Sequence, residues 1–363
     1  YWAVVAYRTA VPSSHWDRDL TAEFESWSPA PPYFAQVFRV PAVLADAAAC
    51  YVLYRFWRGR AGPTRAATVA AAFAWSPCAV LVGAYHTNTD SVLALMILLA
   101  AVAATADPAT GRRPRPFLAG LALAGAINVK LTPVLLVPVL LLACRRWRDA
   151  AWAVGGLAAG ALPFVPLLAT CWAKFYAQSV GYRSNPDSWG VLYLLMRLTG
   201  TVPDDPQDVT VGPSPVVRWY YERGRFVVLA AVVAWAAAGR RLSAAGRAGP
   251  ADLFAVAAAL FLILAPGFGI QYTVTVLPVM FASRPRWAAA YGLVAGAFAL
   301  LLYAHHWTGT WPAYSQFRGR MPAPIPYVGL AAWALLVGYV VAVVTDRRTK
   351  AFAALAGARH GNP

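Results

Sequence analysis

Charge is scarce in this sequence: Lys, Arg, Asp and Glu make up 13% of 363 residues, against 60% hydrophobic. That balance excludes a disordered chain and a soluble multi-domain one of this length. Acids are scarcer than bases, 15 against 31, for a formal net charge of +16. In a soluble protein that excess would suggest nucleic acid. Here the basic residues lie between apolar blocks, as expected of charges that set membrane orientation, so nucleic acid is not an expected partner. The cysteines, Cys50, Cys78, Cys144 and Cys171, occur singly, with no CxxC and no His at ligand spacing. A disulfide scaffold and a zinc motif are thereby excluded. Also missing are a Walker A loop, a nucleophile-elbow serine, a Rossmann fingerprint and an internal repeat at fixed period. ATP-driven transport, α/β-hydrolase chemistry and nucleotide-cofactor redox lose their support with them.

What remains is apolar sequence, almost continuous from Phe34 to Thr345. A hydrocarbon core of roughly 30 Å takes about 20 apolar residues per helix. About 11 segments can be marked. They are Phe34 to Trp57, Arg65 to Tyr85, Asp90 to Ala106, Pro116 to Val129, Leu131 to Cys144, Ala150 to Thr170, Phe226 to Gly239, Asp252 to Ala265, Ile270 to Phe281, Trp287 to Ala304 and Ile325 to Thr345. The fold class expected is all-α, a polytopic transmembrane helix bundle with long extracytoplasmic loops. Several segments are short for a full span. The pairs flanking Lys130 and Pro266-Gly267 read either as tight hairpins or as kinked, re-entrant elements buried in protein.

Short loops rich in Arg bias their side toward the cytoplasm. Arg55, Arg58, Arg60 and Arg65, then Arg112, Arg113 and Arg115, then Arg145, Arg146 and Arg148, then Arg240, Arg241 and Arg247, then Arg284 and Arg286, and finally Arg347, Arg348 and Lys350 all fall on one side of this segmentation. The alternate connections carry most of the acids, with Trp and Tyr clusters. The sequence therefore divides into an outer loop at 1–33, a membrane domain at 34–345 with a long outer loop at 171–225, and a cytoplasmic tail at 346–363. A short helix is expected within that loop, over Trp189 to Leu198. The Ala and Arg bias points to a GC-rich bacterial genome, and so to a bacterial plasma membrane. Residue 1 is Tyr, and an outer 1–33 requires one more apolar helix or a cleaved signal upstream, so the natural product is expected to be longer.

A few polar residues interrupt the apolar blocks. Asp46 sits inside the first segment, where an unpaired ionisable group is costly; it reads as a helix-helix contact or as a polar support beneath a cavity. His86-Thr-Asn88-Thr-Asp90 forms an outer turn whose i, i+4 spacing lets His86 and Asp90 converge as a base with its orienting partner. The same spacing admits a divalent cation, and Asp90 alone could be a helix N-cap. Lys130 is either a snorkelling lysine or an ammonium aimed at a phosphate. Arg183, in Tyr182-Arg183-Ser184-Asn185, offers planar bidentate recognition of phosphate oxygens. Gln271 and Tyr272 follow the flexible Pro266-Gly267-Phe268-Gly269 break.

The order of an acidic outer loop, "FRVPAVLAD" (Phe38 to Asp46), "GAYHTNTDS" (Gly83 to Ser91), "GLALAGAINVKLTPVLLVPVLLL" (Gly120 to Leu142) and "PGFGIQYTVTVLPV" (Pro266 to Val279) resembles the polytopic GT-C glycosyltransferases. It is most similar to bacterial mannosyltransferase-like enzymes that use polyprenyl-phosphate sugars. The resemblance implies transfer of a sugar, mannose or another hexose or pentose, from a polyprenyl-phosphate donor to a glycolipid or polysaccharide hydroxyl outside the plasma membrane. It implies no required cofactor. It also implies an essential carboxylate in the first outer loop and a second polar motif in the next, a position matched by His86, Asn88 and Asp90. The first carboxylate is expected upstream of Tyr1, with Asp17 and Asp19 as substitutes if the loop is complete. Asn88, Gln271 and Tyr272 are the substrate-binding candidates, and Lys130 and Arg183 those for the donor phosphate. Glycosyl transfer passes through an oxocarbenium-like state, needing a carboxylate for the acceptor proton and cations for the departing phosphate. Broken helices around Lys130 and Pro266 keep a secondary transporter or lipid-linked-sugar flippase as the alternative.

Overall fold

The structure, a computed structural model, describes residues 32–85, 88–106, 111, 113–144, 146–176, 189–202, 214–306 and 324–345. Of these, 86% are helical and none lies in a strand. The helices follow the apolar segments: α1 (Pro32–Ala61), α2 (Pro63–Ala74), α3 (Pro77–Ala79, continuing as a π-helix over Val80–Tyr85), α4 (Asp90–Ala104), α5 (Pro116–Val129), and a 3-10 turn (Thr132–Leu136) leading into α6 (Val137–Ala143). Then come α7 (Trp147–Ala161), α8 (Phe164–Phe175), α9 (Gly190–Thr199), α10 (Pro215–Ala244), α11 (Pro250–Leu264), α12 (Tyr272–Thr275), α13 (Leu277–Ser283), α14 (Pro285–His306) and α15 (Pro324–Thr345). Proline opens α2, α5, α10 and α11, where its missing N–H costs nothing and its fixed φ favours the first turn.

Among the described residues, α10, α14 and α15 are long and apolar enough to cross a membrane. The bent pair α2 and α3 makes a fourth if it is one broken span. The remaining apolar helices, α4, α5, α9, α11 and the two interrupted ones at Thr132–Ala143 and Tyr272–Ser283, are too short to count by length alone. The apolar segments are thus helical, but the expected number of spans is not reached by this measure. Proline and glycine cut the runs: Ser76-Pro77 bends one, and Lys130, extended at φ −148° and ψ 147°, separates α5 from the 3-10 turn that Pro133 opens.

Helix directions follow from the side-chain registers. Gly120 faces Ala153, Gly156 faces Phe117, and Gly160 faces Ala124 and Leu121 so closely that a Cβ at any of the three glycines would collide. Phe117 meets Trp152 toward the start of both helices and Asn128 donates to Gly160 O toward their ends, so α5 and α7 run parallel and the chain reverses at Lys130 to return through α6. Close approach at Gly156 and Gly160 is the small-xxx-small packing that substitutes for a hydrophobic driving force in lipid. Gly292 and Gly296 of α14 do the same against Ser76 and Pro77. Helices α1 and α4 are also parallel, joined by Ser91–Asp46 near one end and Arg60–Ala106 near the other. The bundle therefore has one end bearing Asp90, Lys130 and the 265–271 turn, and an opposite end bearing Arg60, Arg115 and Arg284.

The C-terminus of α11 shows how backbone polarity is settled at the first end. The last carbonyls of a helix lack an intrahelical partner, and lipid supplies none. Leu262 O accepts from Trp189 Nε1 at 2.8 Å, Ile263 O from Trp333 Nε1 at 3.1 Å, and Leu264 O from the Tyr220 hydroxyl at 2.7 Å. Three elements thus cap one helix end, just before the Pro266-Gly267 break.

Candidate active site

Asp90 is the first residue of α4, and Thr89 holds the cap position without a side-chain cap bond. The expected N-cap alternative for Asp90 is therefore not what its carboxylate does. It turns inward, has no exposed surface, and accepts from Lys130 Nζ at 2.6 Å through Oδ2 and from Thr275 Oγ1 at 3.4 Å through Oδ1. Among the described residues this is the ion pair the structure contains. A buried carboxylate requires such a partner, and the N-terminal end of α4 adds a favourable dipole.

Lys130 is delivered by the break between α5 and the 3-10 turn. Its ammonium is also 4.8 Å from the ring centroid of Tyr272, an attractive cation–π placement. Its side chain keeps 25% of its surface exposed, while its ammonium is committed to Asp90. This is an inward-turned lysine rather than one extended along the helix toward a membrane surface.

Tyr272 and Thr275 come from α12, which follows the turn at Pro266 to Gln271. The turn closes with Tyr272 N–H donating to Gly269 O at 2.9 Å and Thr273 N–H to Ile270 O at 3.1 Å. The Thr273 hydroxyl donates to Ile270 O at 2.6 Å, and Tyr291 OH donates to Thr273 O at 3.1 Å. Phe268 stacks on buried Trp189, with centroids 4.3 Å apart and planes within 5°. Gln271 is half-buried, its side chain folded over Gly269. A cavity of about 30 Å³ lies beneath, with Leu93, Thr132, Pro133, Phe261, Tyr272 and Thr275 in its wall.

Below Asp90, Ser91 Oγ donates to Asp46 Oδ2 at 3.2 Å. A Cβ at Gly83 would collide with that carboxylate oxygen and crowd Ser91, so only glycine lets the π-helix pass here. Asp46 thus joins α1 to the first turn of α4, a helix-helix contact, which is the first of its two sequence readings. Asn88 is half-buried and accepts from the Thr89 hydroxyl at 3.4 Å. Asn128, two residues before Lys130, bridges Ala124 O at 2.9 Å and Gly160 O at 2.7 Å, fixing the end of α5 against α7.

Three sequence candidates therefore meet: Asp90, Lys130 and Tyr272, with Asn88 and Gln271 on the adjoining turns. His86, Arg183, Asp17 and Asp19 lie outside the described residues. Thr275, Ser91 and Trp189 were not singled out as site residues from the sequence. Thr275 and Ser91 carry no local signal beyond being hydroxyls in apolar helices. For Trp189 the visible signal was its place at the head of the short helix. No group of three or more His, Cys, Asp or Glu that could hold a metal occurs among the described residues.

Lys130 is thus held by a buried carboxylate and an aromatic face on a side chain that is only partly buried. A second anion reaching it would compete with Asp90 for the same cation. The model of glycosyltransferase family 87 matches residues 26–266, about two thirds of the chain, and that span includes Asp46, Asp90, Lys130 and Trp189. Neither a curated protein nor a solved structure matches it.

Proposed function

The chain belongs to glycosyltransferase family 87, a GT-C-type family of membrane glycosyltransferases, and from that premise we propose that it moves a sugar from a polyprenyl-phosphate donor to a hydroxyl of a cell-envelope glycolipid or polysaccharide. The sugar is mannose or another hexose or pentose. The reaction takes place on the extracytoplasmic face of a bacterial plasma membrane, the face that bears Asp90 and Lys130. The observation that carries this reading is the 2.6 Å Lys130–Asp90 pair, assembled from separate turns at one end of an apolar bundle.

The donor tail stays in the bilayer and its phosphate approaches the partly exposed Lys130 side chain. There it takes over the ammonium, and Arg183 supplies a second cation. The carboxylate of Asp90, released from its partner, accepts the proton of the acceptor hydroxyl. The acceptor oxygen bonds to the anomeric carbon as the carbon–oxygen bond to phosphate breaks, and the polyprenyl phosphate departs with the bonding electrons, held by Lys130. Tyr272 keeps the ammonium over the site, and Asn88 and Gln271 bind sugar hydroxyls. His86 orients Asp90, and Asp17 and Asp19 are the further carboxylates for proton transfer. No cofactor is required, and a divalent cation between His86 and Asp90 would serve only to neutralise the phosphate.

The test is a detergent-solubilised reaction with polyprenyl-phosphate mannose and an envelope glycolipid fraction, with no membrane gradient. Formation of a glycosidic product, lost in Asp90→Asn by about 10²-fold or more at equal protein abundance, is the expected outcome. Movement of the lipid-linked sugar across sealed vesicles without any new covalent product would replace this reading with a transporter.

A further inference from the structure

At the end of the bundle opposite Asp90 and Lys130, a groove of about 960 Å³ opens between α1, α4 and α5. Its walls are apolar, with Met96, Leu99, Leu118 and Leu121 among them, and Tyr51, Leu118 and Leu121 are exposed toward the surroundings of the bundle. Its mouth carries Arg55, Arg60 and Arg115, and no carboxylate is among the described lining residues. The Arg60 guanidinium is fixed there, donating to Phe56 O at 2.7 Å and Ala106 O at 2.8 Å and lying 3.8 Å from the Phe56 ring centroid. Arg55 and Arg115 are exposed beside it and make no ion pair among the described residues.

The length of the groove identifies the depth of its occupant. From Arg115 to Gly125, α5 rises about 15 Å at roughly 1.5 Å per residue. That is about half of a hydrocarbon core of roughly 30 Å, the depth of one leaflet. Along α4 the groove begins at Met96 and ends at Thr105, so it is confined to the half of the helix remote from Asp90. A cationic mouth with no carboxylate among its described lining residues favours a net anionic headgroup: the phosphate of either lipid meets guanidinium donors, while the ammonium of a zwitterionic lipid meets only like charge.

We propose that this groove binds an anionic phospholipid of the leaflet on the arginine side, with its phosphate against Arg55, Arg60 and Arg115 and one acyl chain lying along α5 toward Gly125. The lipid completes the wall between α1 and α5. It is a separate site from the donor's, because its headgroup lies at the other end of the bundle and its chain spans only the near leaflet.

The experiment uses the full chain reconstituted in phosphatidylcholine nanodiscs doped with phosphatidylglycerol, with retained lipids counted by native mass spectrometry after release. Phosphatidylglycerol is expected to be retained in preference to phosphatidylcholine. Each surface arginine contributes about a fivefold preference, so Arg55→Gln with Arg115→Gln should lower it by about 25-fold. Ala122→Phe leaves the arginines in place but fills the groove, and should reduce retention of both lipids. An unchanged preference in the double arginine variant overturns the proposal. So does retention of added polyprenyl phosphate in place of phosphatidylglycerol, or crosslinking of a photoreactive residue at position 122 to protein rather than to lipid.

Discussion

Asp90 has no exposed surface, and its carboxylate is answered by one ammonium and one hydroxyl. Removing the cation alone strands a buried charge, which costs about 3–5 kcal/mol, whereas removing both charges together costs far less. Lys130→Met should therefore unfold at a markedly lower temperature than the wild type, and Asp90→Asn combined with Lys130→Met should recover most of the difference. Thermal melting of the purified variants in one detergent checks this. A double variant as unstable as the single one would show that the loss comes from Lys130's other contacts rather than from a stranded carboxylate. Activity separates from stability in the same set, since the double variant regains the fold but neither the proposed phosphate-binding cation nor the proposed proton acceptor. The candidates at this scale were visible because each interrupts an apolar run: Asp90 at the head of one, Lys130 between two, Tyr272 after a Pro-Gly break. Their union was not visible. Forty residues separate Asp90 from Lys130 and 185 separate it from Thr275, and no local periodicity encodes a contact across such distances.

Elements are placed by how they satisfy backbone groups that lipid cannot. The end of α11 illustrates it, with Trp189, Trp333 and Tyr220 each taking one orphan carbonyl. Trp189→Phe preserves the stacking surface toward Phe268 but leaves Leu262 O without its donor, a loss of about 1–3 kcal/mol. The expected result is a lower melting temperature with faster amide exchange at Phe268 to Gln271. Unaltered exchange there would mean that the turn is held by Thr273 and Tyr291 alone. The helical segments were largely legible, including the short helix found at Gly190–Thr199 against an expected Trp189 to Leu198. The start of α10 was not. It begins at Pro215 rather than near Phe226, because Arg218, Glu222, Arg223 and Arg225 interrupt the apolar run over its first three turns. Those turns still bury Val217, Tyr220 and Gly224, positions three and four residues apart on one face.

At the scale of the whole molecule, the two ends of the bundle differ in charge. Arg60 donates to Ala106 O, and Arg247 donates to Val344 O at 3.2 Å, so basic side chains tie helix ends together where α1, α4 and α15 finish. The other end holds the buried Asp90–Lys130 pair and the three-way cap on α11. This polarity is the basis of the orientation expected from the sequence, because Lys and Arg in short connections resist translocation whereas acids contribute little. A reporter fused after Lys350 should therefore be active only when it requires the cytoplasm, and one inserted in 203–213 only when it requires the exterior. Converting Arg240, Arg241 and Arg247 together to Gln should weaken that assignment, since the connection between α10 and α11 is short and holds its side by those charges. The reversed pattern in the unmodified chain, cytoplasmic activity at 203–213 and external activity after Lys350, would place Asp90 and Lys130 on the cytoplasmic side. The proposed polyprenyl-phosphate donor would then have to present its sugar to the cytoplasm, and the proposal of glycosyl transfer outside the membrane would fail.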